Sequence, residues 1–247
     1  MKKRGRVVLL FILIFLAMTT FAFNQVHPAS DILKTSAGDV EMHFVGHGSL
    51  MFSLAGFIIH VDPVRSSGSY VIPPEADLIL VTHEHGDHLD TKLIGDLHKK
   101  ETIMLCNGNS KAKVLWARAM KAGDKIQVSS ITIEALHAYN IVNLRAPGQP
   151  FHPMGSGLGF ILSIGDKKIY VAGDTENTPE MKSLKDIDVA FLPMNLPYTM
   201  TPEMVADAAM AFKPKILYPY HFGETNTEKL VQLLKNTDIE IRIRNLK

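Results

Sequence analysis

The stretch Val81-Thr82-His83-Glu84-His85-Gly86-Asp87-His88 sets three imidazoles and the Asp87 carboxylate within six residues. The apolar run Leu78 to Val81 before it reads as a buried strand, which delivers His83 to its C-terminal end. In an extended segment, residues two apart point the same way, so His83 and His85 face a common side. Gly86 permits a sharp turn that brings Asp87 and His88 back toward that point. Such a set suits Zn²⁺ or a similar borderline divalent ion. Without a cation, each of these groups would need its own hydrogen-bond partner at the end of a buried strand.

Outward from this motif the chain alternates strands with a few helices. Val40 to Val45 and Leu50 to Leu54 read as a hairpin around Gly46-His47-Gly48-Ser49, and Phe57 to Val61 as a buried strand ending at Asp62-Pro63. Thr91 to Lys100 has one apolar face and reads as a helix. Ile103 to Leu105 reads as a strand, Lys111 to Met120 as a helix, and Lys125 to Leu136 as two short strands. Tyr139 to Leu158 holds Pro147, Pro150 and Pro153, and a loop of that length in a compact domain is usually functional. Phe160 to Ile164 and Lys168 to Ala172 form a hairpin around Gly165-Asp166, and Val189 to Leu192 is a strand. Thr201 N-caps a helix with Pro202 at its first position, reaching about Phe212. Ile216 to Tyr220 is a strand, Thr225 and Glu228 make a capping box for a helix to Leu234, and Ile239 to Arg244 closes the chain. Runs of strands with covering helices indicate an α+β protein of two sheets with helices outside them.

The chain has 247 residues, with 26 Lys+Arg against 25 Asp+Glu. That balance argues against a nucleic-acid partner, and the single cysteine, Cys106, excludes a disulfide framework or a thiolate-rich zinc site. Cys106 reads as a small buried hydrophobe. Lys2, Lys3, Arg4 and Arg6 precede an uncharged apolar run from Val7 to Phe23. This reads as a signal peptide over residues 1–23, or as a membrane anchor if it stays uncleaved. Residues 24–38 then read as a linker and 39–247 as the domain. The expectation is an exported protein, periplasmic or extracellular, that touches a membrane only through residues 7–23. Homo-oligomerisation is compatible with the sequence.

The pattern His83-x-His85-x-Asp87-His88 resembles the metallo-β-lactamase superfamily of metal-dependent hydrolases. Ile58 to Pro63, Tyr170 to Thr175 and Tyr218 to Gly223 resemble further family motifs in order, so the likeness covers nearly all of Val40 to Arg244. The branch it most resembles holds ascorbate-phosphate lactonase-like and other Zn-dependent hydrolase proteins; the antibiotic-degrading branch matches less well. The resemblance implies a four-layer αββα sandwich with metals at one edge, between the sheets. It assigns His83, His85 and one further histidine to a first metal, Asp87, His88 and His221 to a second, and Asp174 between them. Asp62 would brace the metal loop without binding metal. The further histidine is His137 or His152. Ala138-Tyr139-Asn140 resembles a subgroup in which Asn140 takes the usual histidine place, which favours His152 from the loop. His47 fits a structural role or a substrate contact, and the segment from Met194 to Met200 either lines the pocket or fills core. His27, His43, His60 and His98 read as non-ligands.

The chemistry implied is hydrolysis by hydroxide formed at a divalent metal pair, most simply two Zn, with Mn or Fe as alternatives. Asp87 would orient the hydroxide and pass a proton to the leaving group. A cationic centre favours a polar or anionic small-molecule ester, lactone, amide or phosphodiester. The alternative is a non-catalytic metal-binding periplasmic sensor or partner module.

Overall fold

The computed structural model describes residues 29–68 and 73–247. The expected signal peptide or anchor lies outside the described residues. No helix among the described residues is long and apolar enough to cross a membrane.

The first half builds a seven-stranded sheet in sequence order. Its strands are β1 (Ser30–Thr35), β2 (Gly38–Gly46), β3 (Ser49–Leu54), β4 (Phe57–Val61), β5 (Ala76–Val81), β6 (His98–Cys106) and β7 (Arg118–Ala119), with α1 (Thr91–Leu97) and α2 (Gly108–Lys113) between the later ones. The second half supplies β8 (Lys125–Val128), β9 (Ile131–Ala138), a small hairpin of β10 (Leu144–Ala146) and β11 (Gln149–Pro150), then β12 (Gly157–Ile164) and β13 (Lys167–Val171). It continues with α3 (Pro179–Lys182), β14 (Val189–Pro193), α4 (Pro202–Phe212), β15 (Ile216–Tyr220), α5 (Thr227–Leu234) and β16 (Glu240–Ile241). The second large sheet runs β16-β15-β14-β13-β12-β9-β8. Followed along the chain, each large sheet makes three antiparallel pairings and then three parallel ones.

The main core lies between the sheets. Val40, Met42, Phe52, Ile59 and Leu80 pack in one cluster with Phe160, Leu162, Val171, Phe191 and Tyr218. Phe191 stacks on Tyr218 at 4.9 Å between ring centroids, and Phe44 from the first sheet meets Tyr218 at 5.1 Å. Each such buried side chain contributes about 1.5–3 kcal/mol. Strand β5 is covered on both sides, which explains its unbroken apolar run. Leu78 and Leu80 enter the main core, while Ile79 and Val81 pack with Leu93, Ile94 and Leu97 of α1. Helix α4 buries Val205, Ala209 and Phe212 in the main cluster, capped by Thr201 as its sequence indicates. This is the α+β fold expected, two sheets with helices about them.

Several boundaries differ from the reading of the sequence. Residues 30–35 fall inside the expected linker but form β1, paired along its length with β2. Asp31 anchors it there, accepting from Tyr218 Oη, from Arg242 Nη1 at 3.2 Å and from Arg244 Nη2 at 2.6 Å. The helix from Thr91 stops at Leu97 because Ala76 pairs with His98 and the register then shifts, with Thr102 Oγ1 donating to Ala76 O at 2.6 Å. The helix expected over Lys111 to Met120 ends at Lys113, because the chain turns back to pair Arg118 and Ala119 with β6. The cap of α5 is Asn226, whose side chain accepts from Glu228 N, in place of the Thr225 box. The closing strand is reduced to Glu240 and Ile241.

Candidate metal centre

Strand β5 hands the chain to a turn in which His88 N and Leu89 N both donate to His85 O, at 3.0 and 2.9 Å. Asp62 braces this turn from β4. Its Oδ1 accepts from Thr82 N at 2.7 Å, and its Oδ2 from Thr82 Oγ1 at 2.7 Å and His88 Nδ1 at 2.8 Å. Asp62 and His88 are fully buried. A carboxylate on Nδ1 fixes the ring and leaves His88 Nε2 directed at the cluster.

The second half contributes its donors singly. Asp174 follows Gly173 at the end of β13. Gly173 has φ +67°, and a Cβ there would stand 2.6 Å from Leu158 O, so glycine is required for the close approach. His221 follows β15 with φ +47°, and its N–H donates to His47 O at 3.2 Å. His152 is held by Asn140, whose Oδ1 accepts from His152 N at 2.7 Å and from Nδ1 at 2.8 Å. Asn140 Nδ2 in turn donates to Tyr198 O at 2.8 Å and Glu176 Oε1 at 3.2 Å. Glu176 is fully buried and takes three backbone N–H groups, from Ile141 at 2.8 Å, Val142 at 2.7 Å and Asn143 at 2.7 Å.

Donor atoms of His83, His85 and His152 lie within 4.8 Å of one another, as do those of His47, Asp87, His88 and His221, and those of His83, His88 and Asp174. Asp174 faces both sides. Its Oδ2 is 3.4 Å from His152 Nε2 and 3.6 Å from His221 Nε2, and its Oδ1 is 3.3 Å from His88 Nε2. His137 joins none of these groups. Paired opposite Leu158 in the sheet, it lines a separate cavity with Gly108 and Met120. The structure thus sets His152, and not His137, beside His83 and His85. His43, His60 and His98 also stand outside the groups, and His27 is not among the described residues. Met194 and Met200 are buried in the core, while Asn195 and Tyr198 line the cavity over the cluster.

Burial, aided by the neighbouring His88, holds His83 well below the usual imidazole range, which keeps it in the neutral form a metal requires. Burial opposes ionisation of Asp174, yet the imidazoles of His221 and His88 keep its carboxyl well below the carboxylate range. Asp87 is likewise opposed by burial and lowered by His221 and His47.

The donors fit a divalent cation on an internal observation. His88 Nε2, Asp174 Oδ1 and both ring nitrogens of His221 are buried without a hydrogen-bond partner. Buried polar atoms are rarely left so, and His88 Nε2, Asp174 Oδ1 and His221 Nε2 converge on one place. Imidazole nitrogens with carboxylate oxygens are the ligands that zinc, manganese and iron accept. Above them opens a cavity of about 520 Å³ lined by His47, Arg145, Phe151, Asn195 and Tyr198. Glu176 and Arg145 carried no signal in the sequence; Glu176 acts on a loop 33 to 35 residues away through main-chain atoms, which no spacing encodes.

A family described as beta-lactamase superfamily domain matches residues 41–221. A UPF0173 metal-dependent hydrolase of Symbiobacterium thermophilum is 30% identical over 197 residues, 74% of this chain and 84% of that one. A crystal structure from Parabacteroides distasonis, assigned as a metal-dependent hydrolase, superposes with TM-score 0.85 at 45% identity, covering 90% of this chain and all of that one. CmlA, a diiron beta-hydroxylase from Streptomyces venezuelae, shares the fold at TM-score 0.66 with 16% identity, over 87% of this chain and 54% of its own. The chain belongs to the beta-lactamase superfamily, as a metal-dependent hydrolase of the metallo-β-lactamase fold.

Proposed function

We propose that this chain is a two-metal hydrolase, with His83, His85 and His152 at a first cation, Asp87, His88 and His221 at a second, and Asp174 between them. The observation that carries the reading is the convergence of these side chains from both sheets on buried, unpartnered ring nitrogens and a carboxylate oxygen. Zinc is the simplest occupant, with manganese and iron as the alternatives. A divalent pair supplies a water acidified from a pKa of 15.7 toward about 7 and a Lewis acid for a carbonyl or phosphoryl oxygen.

The chain's own residues do the rest. Asp87 is the half-exposed carboxylate of the cluster, with its side chain 49% accessible. In this reading its carboxylate takes a proton from the attacking water and returns it to the leaving group. Asp62 and Asn140 hold the rings of His88 and His152, so neither swings as charge moves. Arg145 lies over the Phe151 ring at 5.6 Å and adds a positive charge to the mouth of the cavity. This supports a small polar or anionic substrate: an ester, lactone, amide or phosphodiester. The basic, then apolar N-terminal residues support export, periplasmic or extracellular.

The experiment is elemental analysis of the purified protein with a screen of chromogenic esters, lactones and phosphodiesters before and after chelation. Two equivalents of transition metal and chelator-sensitive turnover are expected. Turnover that persists in metal-stripped buffer, or protein without stoichiometric metal, overturns the reading.

A further inference from the structure

Three imidazoles of the cluster share one construction. His88 Nδ1 donates to Asp62 Oδ2 at 2.8 Å, His152 Nδ1 to Asn140 Oδ1 at 2.8 Å, and His83 Nδ1 to Thr82 Oγ1 at 3.0 Å. Each oxygen fixes the proton on Nδ1, so the Nε2 lone pair faces inward, the way metal-binding histidines are oriented. His47 is built the same way. Its Nδ1 is 2.9 Å from the backbone oxygen of Lys247, which can only accept. In the neutral ring, the form that binds metal, this leaves the lone pair on Nε2.

That lone pair points at the cluster. His47 Nε2 lies 3.4 Å from Asp87 Oδ2, the same distance as His221 Nε2 from that oxygen. Donor atoms of His47, Asp87, His88 and His221 all lie within 4.8 Å of one another, a spread that a single cation spans. At 3.4 Å the direct contact is longer than the ordinary 2.7–3.2 Å of an N–H···O bond, which leaves space for an ion beside both atoms. The backbone presses the turn inward too. His47 adopts φ +50°, a left-handed conformation uncommon outside glycine, and its carbonyl takes the N–H of His221 at 3.2 Å. Gly48 makes the approach achievable, since a Cβ there would stand 2.9 Å from His88 Cε1.

We propose that His47 is a direct ligand of the second cation, beside Asp87, His88 and His221, with Asp174 adjoining. This rests on the metal-centre reading above and goes beyond the ligand set that the family resemblance supplies. It also sets the class of ion. Four side chains plus Asp174 exceed the four ligands of a tetrahedral zinc site and suit an ion that accepts five or six nitrogen and oxygen donors, such as Mn²⁺ or Fe²⁺. Three imidazoles with Asp174 at the first position keep the tetrahedral count.

The test is equilibrium dialysis of the metal-stripped protein against Mn²⁺, Zn²⁺ and Co²⁺, for the wild type, His47→Gln and His47→Gly. The second variant tolerates the positive φ and leaves room for free imidazole. The wild type is expected to hold two ions. Both variants should keep the first and bind the second at least about 100-fold more weakly, the upper range for losing even an outer-shell partner. Their Co²⁺ absorption should shift toward a lower coordination number, and added imidazole should restore the second ion to His47→Gly. Variants that hold two ions with wild-type affinity and spectrum overturn this inference alone. A second ion lost but not restored by imidazole also overturns it, by giving His47 a structural role. A wild type that binds no stoichiometric ion overturns the metal-centre reading itself, and this inference with it.

Discussion

In the first half of the molecule one turn after β5 carries His83, His85, Asp87 and His88; in the second half, His152, Asp174 and His221 each stand on a separate loop. The strand pairings follow the same order in both sheets. The first half therefore organises its donors by local geometry, with one brace, Asp62, serving the turn. The second half organises its donors by topology, and each needs its own support: Asn140 and Glu176 for His152, Gly173 for Asp174, the His47 carbonyl for His221. A complete site needs the two sheets packed face to face, so cation binding is coupled to the whole fold.

The largest effect expected is at the junction. Asp174→Ala removes the carboxylate that faces both groups, and should lower hydrolysis and the affinity for both ions by at least about 100-fold, read by metal analysis and turnover. Loss from one position alone would show that the halves bind independently. The two braces come next. Asp62→Ala strips a fully buried carboxylate from Thr82 and His88 and should cost about 3–5 kcal/mol in urea unfolding. Asn140→Ala should cost about 1–3 kcal/mol. The reverse order would mean that the dispersed half is the more tightly tied.

Acid should strike the first half through His60. Burial lowers its pKa from 6.5 to about 4, opposed by its hydrogen bond to Pro74 O and reinforced by His43. The folded state thus binds fewer protons than the unfolded one between those values. Stability is full above pH 6.5 and falls as pH drops toward 4, by about 3 kcal/mol in all. Urea titrations at pH 7 and 4.5 should show this loss in the wild type and a smaller one in His60→Gln; equal losses would place the acid sensitivity elsewhere. The last effect, of the size expected for Asn140→Ala, concerns the hairpin turn. Gly48→Ala crowds the His88 ring and should cost about 1–3 kcal/mol, with weakened binding of the second ion. An unchanged melting temperature and metal content would show that the turn yields.

The same contrast governs what the amino-acid sequence discloses. His83 to His88 is legible because a strand, a glycine turn and a two-residue spacing are all local. A buried strand such as β14 is legible for its unbroken apolar run. Strand β1 is not, because only Leu33 of its six residues is buried and Ile32 is 58% exposed, so no alternation marks it. The choice between His137 and His152 turns on the pairing of β9 with β12 and on Asn140, neither of which a spacing records. Glu176 is hidden for the same reason: three of its partners are main-chain N–H groups, which no residue type marks.

The grip of Arg242 and Arg244 on Asp31 spans more than two hundred residues of chain. During synthesis that carboxylate meets neither of these guanidinium groups until position 242 has been made. Strand β1 can pair with β2 early, but its lock on the last strands closes only when the chain is nearly finished, so loosening either segment loosens the other.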